Sequence, residues 1–97
     1  MRIFEFKDKN GKIIYLTKER WSHINIEHPE IADYIEEFNE ILSNPTKIFD
    51  YQHNKYIKYY YKYFKDRKEK SKYLLIIVKY LNGEGFIITA YFVRQIK

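Results

Sequence analysis

Apolar and polar positions along this 97-residue chain change their period twice. Arg2–Lys7 and Lys12–Leu16 are short β-prone runs on either side of Asn10-Gly11, and an Asn-Gly pair between such runs predicts a hairpin. Thr17 follows with the hydroxyl of a helix N-cap, and Glu19 falls in the first turn, where the helix dipole favours it. A first helix is expected over about Lys18–Glu27. Pro29 ends it or begins the next one, because proline suits a first helical turn and disfavours helix at the residue before it. Ile31, Tyr34, Ile35, Phe38, Ile41 and Leu42 keep the three-and-four spacing of an amphipathic helix over about Pro29–Leu42. Ser43-Asn44-Pro45 stops it.

The period then shortens. Lys47–Tyr51 reads as a strand, Tyr56–Phe64 as a tyrosine-rich strand partly alternating with lysine, and Tyr73–Leu81 as a nearly continuous apolar, central strand. Asn82-Gly83-Glu84-Gly85 is a turn, and Phe86–Val93 is the last strand. The expected fold class is α+β: an N-terminal hairpin and two helices packed on an antiparallel sheet of about four strands, in one domain over residues 1–97.

Composition narrows the function classes. No apolar run is long enough to cross a membrane as a helix, and MRIFEFKDKNGK has no signal-peptide core, so a cytoplasmic location is the default expectation. The chain has no cysteine, which removes disulfides and thiolate metal sites. No HExxH pattern occurs, and neither a metal nor a cofactor is expected. Eighteen Lys and Arg against 13 Asp and Glu give a net charge of +5, which favours a polyanionic partner such as nucleic acid. The 11 tyrosines and many lysines suit RNA, although an AT-rich genome would also enrich Lys, Ile, Tyr and Asn.

The chemistry concentrates in RWSHINIEHPE and FIITAYFVRQIK. On the first helix, Trp21, Ile24 and His28 share one side, and Arg20, His23 and Glu27 the neighbouring one. His23 reads either as a solvated residue or as a proton carrier. His28 reads either as a cap before proline or as the second proton carrier. An imidazole gives and takes protons near neutral pH, as cleavage of RNA by its own 2′-hydroxyl requires. Alternation places Ile87, Thr89, Tyr91 and Val93 on one face of the last strand and Arg94 on the other. Thr89 and Tyr91 offer hydroxyls to a phosphate, and Arg94 a bidentate fork. Lys79, the one charge within Tyr73–Leu81, must reach solvent or face a cleft, where it would stabilise phosphate charge. Lys58, Tyr60 and Lys62 share a face of the tyrosine-rich strand. With Arg20 they are candidate substrate contacts, against the alternative of a lysine-protected edge strand.

LTKERWSHINIEHPE, IEEFNEILSNP, KYLLIIVKY and FIITAYFVRQIK occur in that order and cover most of the chain after Tyr15. In these stretches the chain resembles the BECR superfamily, named for barnase, EndoU, the colicin RNases and RelE, and more narrowly its phage-associated branch. The resemblance implies a compact RelE-like fold and a toxin-like, metal-independent endoribonuclease. It implies RNA as partner, whether tRNA, mRNA or ribosome-bound RNA, and an antitoxin that neutralises the toxin. It assigns the helix histidine role to His23 or His28 and the strand roles to Lys79, Thr89, Tyr91 and Arg94. His23 is preferred as general acid or base. Two alternatives stand beside this: a non-catalytic RNA- or DNA-binding module using the Tyr-Lys strand, and a protein-interaction domain of phage or mobile-element origin.

Overall fold

The computed structural model describes residues 2–96, without the side chains of Arg2 and Ile3. The first two runs pair as antiparallel strands β1 (Arg2–Lys7) and β2 (Ile13–Thr17). Their loop is longer than a two-residue Asn-Gly turn because Asp8 organises it. Asp8 Oδ1 accepts the N–H groups of Asn10 and Lys12, each at 2.9 Å, and only Gly11 takes a left-handed backbone, at φ 84°. An Asp side chain that bonds its own loop competes effectively with the shorter turn. By contrast Asn82 and Gly83 both have positive φ (55° and 81°), the two-residue hairpin geometry that an Asn-Gly pair favours.

Helix α1 (Lys18–Glu27) starts as its cap predicts, with Thr17 Oγ1 accepting the Arg20 N–H at 3.2 Å. The second helix is not uniform. Pro29–Glu37 forms a 3-10 segment, and only α2 (Phe38–Ser43) is α-helical. In a 3-10 turn residues three apart eclipse. That stacks Ile31 and Tyr34 toward the core, and Tyr34 meets the rings of Phe64 and Phe92 edge-on at 5.4 and 4.9 Å.

Strands β3 (Lys47–Asp50), β4 (Ile57–Tyr63), β5 (Tyr73–Leu81) and β6 (Glu84–Val93) complete one six-stranded sheet, ordered β1-β2-β6-β5-β4-β3. The α+β class stands as expected, with two corrections. The N-terminal hairpin is part of the sheet, so it has six strands rather than about four. It is mixed rather than antiparallel, because β2 runs parallel to β6 through Ile14–Gly85 and Tyr15–Phe86. That pairing joins strands about 70 residues apart in the chain, and no local pattern announces it.

The helices cover one face. Against them pack Phe6, Ile14, Leu16, Tyr60, Leu74, Ile76, Val78, Ile87 and Ala90, with Ile24, Ile31, Phe38, Ile41 and Leu42 from the helical layer. A second set of buried residues, Tyr15, Tyr61 and Leu75, lies outside this cluster on the opposite, open face. No helix of the described residues is long and apolar enough to cross a membrane.

Candidate functional site

The open face of the sheet is assembled in cross-strand rows. Strand registers align Phe49, Tyr59, Ile77 and Thr89 in one row, and Lys47, Tyr61, Leu75 and Tyr91 in the next. On the other side of the first row come Ile57, Lys79, Phe86 and Tyr15. A β-bulge sets which residues of β6 belong here. Val78 pairs with Ile87, whereas Ile77 pairs with Thr89, leaving Ile88 as the extra residue. Ile87 is thereby turned into the core, while Thr89 and Tyr91 stay on the open face. Simple alternation had put Ile87 beside Thr89; the bulge separates them. Such re-aiming of side chains is what bulges do in sheets.

His28 reaches this face from the end of α1. Its ring stacks on Tyr91 with centroids 5.0 Å apart and planes 21° from parallel. Its backbone is held on both sides, the N–H donating to Ile24 O at 2.7 Å and the carbonyl accepting from Ile31 N at 3.0 Å. At φ −138° it has left the helix, so its ring direction does not follow the helical wheel. His23 stays on α1, exposed, its side chain making no hydrogen bond, ion pair or ring contact among the described residues. The structure therefore brings His28 onto Tyr91, on the same face as Thr89, with Lys79 one row from Thr89 and two from Tyr91, and does not bring His23 to them.

The other candidates lie elsewhere. Arg94 sits past the end of β6, exposed. Arg20 is exposed on the first turn of α1, where its N–H meets the Thr17 cap. The Lys58, Tyr60, Lys62 face of β4 looks toward the helical layer. Tyr60 is 2 % exposed and bonds the Tyr80 hydroxyl. Lys58 pairs with Asp50 at 2.7 Å, and Lys62 donates to the Asn44 carbonyl at 2.9 Å. The rings that β4 presents on the open face are instead Tyr59 and Tyr61.

Two residues of this face, Tyr15 and Tyr59, and Asn25 on α1 gave no sequence signal. Tyr15 donates to Glu84 Oε2 at 2.9 Å and packs on Phe86 at 5.6 Å. The parallel β2–β6 pair creates this contact, so no local motif foretells it. Asn25, three residues before His28, donates to the Trp21 carbonyl while its own Oδ1 is buried without a hydrogen-bond partner among the described residues. The Tyr59 hydroxyl is pushed above its usual pKa, first by burial and then by the neighbouring Tyr51 and Tyr91 hydroxyls.

On the helical side, a buried polar chain closes the sheet's end. Tyr80 donates to Asp8 Oδ2 at 2.9 Å and meets Tyr60 through a short hydroxyl contact. Burial raises both phenols. The bond between them eases proton loss from Tyr60 and opposes it at Tyr80. Among the described residues, no group of three or more His, Asp and Glu side chains has metal-holding geometry.

Neither the curated proteins nor the solved structures contain a match to the chain. A hairpin, a helical layer and four further strands, with a histidine delivered onto the open face, account for residues 4–96, and over that span the chain matches and belongs to the family described as phage-Barnase-EndoU-ColicinE5/D-RelE like nuclease2.

Proposed function

We propose that this nuclease-family domain is a metal-independent endoribonuclease whose reaction takes place on the open face of the sheet around His28. The observation that carries the reading is the His28 ring stacked on Tyr91 at 5.0 Å, in the same strand and on the same face as Thr89. A neutral His28 accepts the proton of the ribose 2′-hydroxyl. The oxygen so released attacks phosphorus, the bond to the 5′-oxygen breaks, and the leaving oxygen takes a proton from water. Thr89 and Tyr91 donate hydrogen bonds to the non-bridging oxygens, and the Lys79 ammonium opposes the charge that grows there. Stacking fixes the imidazole plane, so little ordering is left for the transition state.

The reaction ends in a 2′,3′-cyclic phosphate and a 5′-hydroxyl. Purified protein should cleave RNA to these ends in the presence of EDTA and leave the 2′-deoxy analogue intact. Cleavage of the 2′-deoxy strand, or a strict need for a divalent ion, overturns the mechanism. A toxin role and a neutralising protein partner belong to the same proposal and are supported by the resemblance alone. Expression should arrest growth, and His28→Ala should relieve the arrest.

A further inference from the structure

Edge strand β3 and the residue that follows it carry aromatic side chains that the core does not need. Phe49 and Tyr51 are 39 % and 37 % exposed, on the open face rather than against the helices. An exposed aromatic edge strand invites aggregation, so its retention calls for a use. With Gln52, Tyr59, Tyr61 and Asp50, whose carboxylate is paired with Lys58, these rings line a recess of about 240 Å³. Its walls are ordered. Tyr51 and Tyr59 lie parallel, 5.6 Å apart at 4°, and Phe49 stands edge-on to Tyr61 at 5.9 Å. Sites for drug-sized ligands run to about 300–1,000 Å³, so this recess suits one flat heterocycle.

Its position relates it to His28. Tyr59 shares a cross-strand row with Thr89, and Tyr61 shares one with Tyr91, in each case across β5. Two strand spacings are about 10 Å. Lys47 sits at the β3 end of the Tyr61 row, exposed, and Lys79 lies on the far side of the Thr89 row. Cations thus flank an aromatic floor continuous with the His28 site, the arrangement that binds phosphates while unpaired bases stack.

We infer that the Phe49–Tyr51–Tyr59–Tyr61 recess is a stacking subsite for one unpaired nucleobase close to the scissile phosphate, so that the substrate is single-stranded or looped RNA. This rests on the reading of the His28 site as the reaction centre. A paired base has its faces covered by its neighbours and cannot enter.

The test uses fluorescein-labelled 2′-O-methyl homopolymers of A, C, G and U, which cannot be cleaved, an abasic oligomer of the same length, and a 2′-O-methyl duplex. Binding is read by anisotropy for the wild type, Tyr51→Ala, Phe49→Ala and Tyr51→Phe. Both aromatic residues are surface-exposed, and circular dichroism checks the fold. At least one homopolymer should bind more tightly than the duplex and the abasic strand. Tyr51→Ala and Phe49→Ala should each weaken that binding by roughly 5- to 150-fold, the worth of one base–aromatic stack, while leaving abasic binding unchanged. Tyr51→Phe should restore it. Equal affinity for duplex and single strand, or equal losses with the abasic oligomer, overturns the inference. So does unchanged binding in both alanine variants, which would make the recess a protein-contact surface. Cleavage is assayed separately. If the wild type cuts RNA but the variants bind and cut normally, the subsite falls and the nuclease stands. If base-dependent binding is lost in the variants but no RNA is cut, the subsite stands and the catalytic reading falls.

Discussion

Adding one methyl group at Gly85 should strain the seam that holds the N-terminal hairpin to the rest of the sheet. Gly85 is buried, and a Cβ built on it would lie 2.9 Å from Ile14 Cγ1, 3.0 Å from Val78 Cγ1 and 3.2 Å from Tyr80 Cε1. None of these atoms can yield easily. Ile14 and Val78 are fully buried, their branched side chains are stiff at χ1, and Tyr80 is held by its bonds to Asp8 and Tyr60. Because Ile14–Gly85 is one of the residue pairs joining β2 to β6, relief requires the two strands to part. Overpacking of this kind costs about 1–3 kcal/mol. For a domain of this size a loss of ~2 kcal/mol lowers Tm by roughly 8–16 °C. Urea unfolding can be followed through Trp21, the one tryptophan, which packs edge-on to Phe4 and Phe38 beside the seam. Gly83→Ala is the control. Its Cβ meets nothing within 4 Å, so only the cost of its φ of 81°, about 1–2 kcal/mol, is expected. Combining Gly85→Ala with Ile14→Ala removes the atom struck, so the double variant should be more stable than the sum of the single losses by about 0.5–3 kcal/mol. An unchanged midpoint for Gly85→Ala, or strict additivity with Ile14→Ala, refutes the reasoning.

Three further outcomes follow from the packing. Tyr80→Phe leaves the buried Asp8 carboxylate short of a donor and Tyr60 without its partner, and should lower stability by about 1–3 kcal/mol in chemical denaturation. Stability should fall as pH rises above about 10, as measured by urea midpoints. Folded Tyr60 and Tyr80 hold their protons above the ordinary 10.0 while the unfolded chain releases them, so rising pH favours unfolding, and the fall should be smaller in Tyr80→Phe. Arg67→Met removes a guanidinium 3.6 Å above the Phe92 ring and a 2.8 Å bond to the Ser71 carbonyl. It should cost on the order of 1–2 kcal/mol and speed amide exchange in the loop between β4 and β5.

What the sequence made legible was local. The Thr17 cap, α1 and the apolar β5 each declare themselves within a few residues and form where expected, whereas the expected Asn82–Gly85 turn shrinks to Asn82-Gly83, because Glu84 and Gly85 already pair with Leu81 and Tyr80 as the start of β6. Residues whose environment depends on distant pairing did not. Tyr60 and Tyr59 are neighbours of one residue type, and only the position of the helical layer decides which enters the core and which faces outward. Lys58 and Lys62 resemble phosphate contacts in the sequence but are taken up by Asp50 and the α2 terminus. A helical wheel paired His28 with Trp21 and Ile24 and favoured His23. It failed to foresee the contact with Tyr91 because the helix ends before His28 and the chain turns there. Glu84 looked like part of a turn until the parallel pairing of β2 put Tyr15 beside it.

The central claim is that chemistry occurs where His28 meets Tyr91, and comparison of two histidine variants tests it most directly. The rate of RNA cleavage by purified wild type, His28→Ala and His23→Ala should fall by about 100-fold or more for His28→Ala, the worth of a positioned proton-transfer group. It should stay within a few-fold of wild type for His23→Ala, since that exposed side chain touches nothing at the site. Wild-type cleavage by a folded His28→Ala protein, or its loss in His23→Ala instead, would contradict the account.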